Sequence, residues 1–105
     1  MITLIVALAL AAPNPKSIDA PRHAYSTCLK TFESNQLKAK VDPAAYEAAV
    51  KTACPSEASA LTTALVNYDV AMGTKRAKAT ENAAMDVEDY QLTSVDRYKD
   101  LFAHP

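Results

Sequence analysis

Two thiols, Cys28 and Cys54, are the side chains whose type and spacing say most about chemistry in this sequence. A thiolate metal site needs further ligands, and His23 and His104 are not placed to supply them. Neither Cys-x-x-Cys nor Cys-x-x-Cys-His occurs, so a thioredoxin-type redox pair and a c-type haem attachment point are both missing from the chain. What remains for the pair is a structural disulfide, provided the protein matures in an oxidising compartment.

The other reactive residue types form no constellation. Gly73 is the one glycine, which leaves no loop able to cradle a phosphate. Neither a nucleophile elbow nor a His-Glu-x-x-His is present. Asp86, Glu88 and Asp89 cluster without the spacing of a calcium loop and read as a solvated acidic face. Lys75, Arg76 and Lys78 are followed by Glu81 and Asp86, the pattern of solvent-facing charge rather than of a nucleic-acid patch. His23, near the start of the first helix, reads as a plain surface histidine. A formal net charge of −1 gives no dominant electrostatic footprint for nucleic acid or anionic membranes. The expectation is a protein with no catalytic, cofactor-binding or metal-ligating residues, and not an enzyme.

Amphipathic aromatics are the remaining candidates. Leu65, Tyr68, Met72, Tyr90, Tyr98 and Phe102 recur at helical spacing in the second half of the chain. Such residues suit an interaction surface, because the ring buries area while a hydroxyl keeps a polar partner. They suit the core of a thin domain equally well, and Ile, Leu, Val and Phe are sparse here. Both readings stand at this level. The tyrosines at 25, 46, 68 and 90 also recur about six helical turns apart, a regularity on which no function rests.

The elements that must position these residues are all helical. Residues 1–11 read as a signal peptide: an apolar run of hydrophobic-core length, closed by Ala9-Leu10-Ala11, with cleavage expected before Ala12. The run is too short to span a bilayer, so no stable membrane insertion is expected after cleavage. Residues 12–20, punctuated by Pro13 and Pro15, read as a polar tether. A single small helical domain is expected over 21–105.

Its first part, 21–54, has the pattern of an antiparallel helical hairpin. Pro21 suits a first helical position, and Tyr25, Cys28, Leu29, Phe32 and then Gln36 or Leu37 recur on one face. Arg22, Lys30, Glu33 and Lys38 fall outside that face. Asp42-Pro43 is a cap followed by a helix start, and the second arm is expected to run to about Cys54 with Tyr46, Ala49, Val50 and Ala53 inward. Val41 lies midway between the cysteines, so folding there brings Cys28 level with Cys54, Phe32 with Val50 and Leu29 with Ala53. Closing such a loop would stabilise the fold by about 3.5 kcal/mol. From 56 to 102 the stripe keeps its phase across Gly73. The expectation is a long amphipathic helix, kinked or broken near Gly73, with Thr74 capping any second segment.

In layout, the leader, the two-cysteine hairpin and the alanine-rich amphipathic tail resemble small exported, periplasmic helical proteins of Gram-negative bacteria. Exported acid chaperones, one small helical domain with one disulfide, are similar in size, and small periplasmic immunity or inhibitor proteins are similar in layout. The resemblance implies a periplasmic or secreted protein acting on a protein partner or as a homodimer, and brings no activity with it.

Overall fold

The computed structural model describes residues 13–105. The expected signal peptide, 1–11, lies outside the described residues. Four α-helices follow in order, α1 (Asp19–Lys38), α2 (Pro43–Ala49), α3 (Pro55–Ala71) and α4 (Arg76–Ala103), with 3-10 turns at Pro15–Ile18 and Val50–Thr52. The protein is all-α and carries a Cys28–Cys54 disulfide, with Cα atoms 6.1 Å apart. Among the described residues no helix is long and apolar enough to cross a membrane.

The fold begins earlier than the tether reading of 12–20 allows. Asn14 accepts a hydrogen bond from the Lys16 amide at 2.9 Å, and Pro15 occupies the first position of the turn it caps. The turn delivers Ile18 into the core and passes directly into α1. Pro21 therefore sits inside the first turn of α1, where a missing N–H leaves no hydrogen bond unmade.

α1 ends in a Schellman arrangement. The Lys40 amide bonds to the Leu37 carbonyl and the Val41 amide to that of Gln36, with Lys40 left-handed at φ 55°. Asp42 then caps α2, accepting from the Ala44 amide at 3.0 Å, and Pro43 starts the helix as the sequence predicts. The second arm is shorter than expected. α2 stops at Ala49 and tightens into the 3-10 turn, the chain becomes extended at Ala53, and Cys54 is left-handed at φ 53° just before Pro55 opens the next helix. α2 packs on α4 rather than lying along α1. Phe32 reaches across to the Tyr46 ring, centroids 5.6 Å apart.

The expected long helix is broken at Gly73 and folds back. The Gly73 and Thr74 amides close a second Schellman arrangement on the carbonyls of Val70 and Asp69. Gly73 has φ +102°, while a Cβ placed there would meet nothing within 4 Å. Backbone conformation, not space, is what calls for glycine. The residue flanking α4 is Lys75, with no side-chain cap, so Thr74 does not play that part. Leu61 and Leu65 of α3 and Ala79, Ala83 and Tyr98 of α4 all enter one core.

α1, α3 and α4 form a bundle, with the 15–18 turn against α3 and α2 laid over α4. Successive α1 residues Arg22, Tyr25 and Glu33 meet successive α4 residues Tyr90, Gln91 and Arg97, so these two helices run parallel. The deepest side chains are Tyr25, Tyr46, Tyr98, Leu29, Leu61, Val50 and Ser94. With few large aliphatics available, tyrosine rings supply much of the buried apolar area, and their hydroxyls need partners inside.

Candidate functional site

The seam between α1, α2 and α4 holds the densest chemistry in the molecule. Glu33, only 3% exposed, accepts hydrogen bonds from the Ser94 hydroxyl at 2.7 Å and from Arg97 Nε at 2.7 Å, and Arg97 Nη2 pairs with its second oxygen. Ser94 is fully buried and its proton is committed to Glu33, so Tyr46 donates to Ser94 Oγ across 2.6 Å. Tyr98 donates to the Val41 carbonyl at 2.6 Å, at the turn between α1 and α2. The Tyr46 and Tyr98 rings stack with centroids 3.8 Å apart.

Electrostatics follow from that packing. The hydrogen bond to Glu33 holds the Arg97 guanidinium above its ordinary range. Burial pushes the phenols of Tyr25, Tyr46 and Tyr98 up. A second group of contacts lies toward the start of α1. Arg22 donates to the Tyr90 hydroxyl at 3.0 Å and pairs with Asp86 at 3.1 Å, and the Tyr90 hydrogen bond is the main reason its guanidinium is also raised. Tyr25 accepts from Gln91 at 3.3 Å.

Chemically, the seam is closed. Ser94 has no solvent-facing lone pair with which to act as a nucleophile, and Glu33 is held by Arg97 and Ser94 rather than by anything entering from solvent. The arrangement binds three helices together. Breaking a buried pair by removing one partner costs about 3–5 kcal/mol where both are buried, and less where one partner reaches solvent as Arg97 does.

The thiols have joined each other, and among the described residues no cysteine is free. A Glu57 carboxylate oxygen lies within 4.8 Å of both sulfurs, but bonded sulfurs offer no thiolates, so the three do not form a ligand set.

The six residues read as an interaction stripe separate in the structure. Tyr98 is wholly buried and Leu65 nearly so, which removes them from any exposed face. Tyr68 and Tyr90 are half-buried against the core. Met72, 60% exposed, stands at the α3–α4 turn, and Phe102, 38% exposed, stacks over Tyr98 near the end of α4. Phe102 shares an apolar cleft of about 490 Å³ with Leu37 and Leu101, with Lys40 and His104 on its lip. Tyr98 and Leu101 are neighbours that the helical spacing already gives Phe102, whereas Leu37 comes from α1 and no local pattern announces it.

Glu33, Ser94 and Arg97 were not legible as a cluster. Glu33 follows Tyr25 and Leu29 at four-residue steps, which was the available signal, and its charge argued for the opposite face. Neither a protein-family model, nor a curated protein, nor a solved structure matches this chain.

Proposed function

We propose that this is an exported, periplasmic or secreted protein that acts by binding another protein and not by catalysis. The observation that carries the reading is the cleft formed by Leu37, Leu101 and Phe102, where large apolar side chains stay in water at the end of a bundle short of aliphatic residues. Its occupant is an apolar anchor side chain of the partner flanked by a carboxylate, because Lys40 stands at the lip and is in no ion pair among the described residues. The disulfide and the apolar leader support the location.

The test is a display of peptides carrying one large apolar residue beside Asp or Glu, read against the oxidised protein. Binding that is lost in Phe102→Ser and weakened in Lys40→Gln supports the reading. Peptide binding indifferent to Phe102 overturns it, as does a solution dimer dispersed by Phe102→Ser, which would make the occupant a second copy.

A second reading, acid-responsive chaperoning, has one observation in its favour. The ion pairs Arg22–Asp86, Arg97–Glu33 and Lys99–Glu47 all join α4 to α1 or α2, so the seating of α4 rests in part on pairs of opposite charge. If aggregation of an acid-denatured client is unchanged by the pure protein at low pH, this second reading fails.

A further inference from the structure

On the outer side of the α1–α4 seam, two ion pairs act as bolts with a gap between them. Arg22–Asp86 closes one end and Glu33–Arg97 the other. Between them lies a notch of about 330 Å³, lined by Ser26 and Lys30 from α1 and by Asp89 and Thr93 from α4, with Leu29 and the Tyr90 ring beneath. Since a water takes about 30 Å³ of liquid, that is room for a ligand of amino-acid or dipeptide size.

Each wall carries one unpaired charge, Lys30 on α1 and Asp89 on α4, of opposite sign. Among the described residues, Lys30 and Asp89 take part in no ion pair and no side-chain hydrogen bond. Elsewhere along the same seam the acids and bases have closed on each other. Arg97 uses Nε and Nη2 on Glu33, which leaves Nη1 free to donate on the notch side. The hydroxyls of Ser26 and Thr93 add a donor or acceptor on each wall.

We infer that this notch is a binding site for a small zwitterion, an α-amino acid or short peptide with an apolar side chain. The ligand carboxylate takes Lys30 and the free Arg97 N–H, its ammonium takes Asp89, and its side chain lies against the Tyr90 ring. A simple anion satisfies Lys30 and Arg97 and leaves Asp89 facing it. A simple amine does the reverse. The site is independent of the apolar cleft at the end of α4.

The experiment is an NMR titration of the oxidised full chain with L-leucine. 4-Methylpentanoate and 3-methylbutylamine, the same skeleton without the amine or without the carboxylate, serve as half-ligands. Amide shifts that saturate at Ser26, Lys30, Asp89 and Thr93 are expected, with each half-ligand weaker by about tenfold, the loss of one charged hydrogen bond. Lys30→Met and Asp89→Asn, both at exposed positions that leave the bolts intact, each weaken leucine binding by about the same factor. No saturating shift up to about 50 mM leucine overturns the inference. So does a half-ligand that binds as well as leucine, or binding unchanged by Asp89→Asn.

Discussion

Tyr46 of α2 and Tyr98 of α4 lie face to face, ring planes within 2° and centroids 3.8 Å apart, while their hydroxyls leave in different directions. Tyr46 donates to Ser94 on α4, and Tyr98 donates to the Val41 carbonyl at the α1–α2 turn. One stacked pair thus anchors the short helix α2 at both its ring and its entry loop. Ser94→Ala removes the hydroxyl that links Tyr46 to Glu33, leaving Tyr46 without an acceptor and Glu33 short of a donor. A loss of about 2–3 kcal/mol is expected in denaturant unfolding. Tyr46→Phe, which takes away a hydroxyl but keeps the ring, costs about 1–2 kcal/mol. The double variant should lose less than the sum, because the two hydroxyls serve one network.

Glu33→Gln keeps the shape of the side chain and loses its charge, which leaves Arg97 with a neutral acceptor. Arg97 reaches solvent, so the expected cost is about 2 kcal/mol, below that of a wholly buried pair. Arg97→Met should cost at least as much, since it strands a carboxylate that is only 3% exposed. Thermal unfolding at neutral pH orders the two variants. An Arg97→Met protein as stable as wild type would remove the lock assigned to this pair.

Alkaline pH should unfold the protein through its tyrosines. Burial holds the phenols of Tyr25, Tyr46 and Tyr98 above their ordinary value in the folded chain. Unfolded, the same phenols ionise near pH 10. Their contribution to stability is therefore complete below about pH 10 and lost as pH rises through the folded values. Absorbance at the phenolate band, followed with far-ultraviolet circular dichroism, should show these three ionising together with loss of helix. Full ionisation of all five tyrosines with helicity intact would contradict it.

The two Schellman turns offer opposite substitutions. Lys40 is left-handed at φ 55°, a conformation that costs a side-chain-bearing residue about 1 kcal/mol. Lys40→Gly should raise stability by somewhat less than that, about 0.5–1 kcal/mol, despite adding a glycine. Gly73→Ala should lower stability by about 1 kcal/mol, though its Cβ would enter open space. Midpoints of denaturant unfolding, at unchanged slope, decide both.

Much of the frame was readable because local chemistry dictates it. Asp42-Pro43 caps and starts α2 with atoms two residues apart, and Cys28 with Cys54 had no other partner to find. Other features depend on residues far off in the chain. Glu33 is buried only because Arg97 and Ser94 arrive from α4 to satisfy it, and no pattern around position 33 announces them. Tyr98 and Leu65 fit an interface or a core equally well until the chain reverses at Gly73 and closes the stripe in on itself. Ile18, a lone apolar residue among polar neighbours, gave too little periodicity to extend the domain back to Pro15.

The sulfur bond shapes more than stability. It turns residues 28 to 54 into a macrocycle, and Glu33, Val41, Tyr46 and Glu47, four of the groups that α4 grips, all ride on that ring. When α4 peels away, its landing place is still held together covalently. Drawn out by force from its two ends, the oxidised chain keeps the 26 residue steps from Cys28 to Cys54 out of its contour, about 90 Å of slack that appears only on reduction.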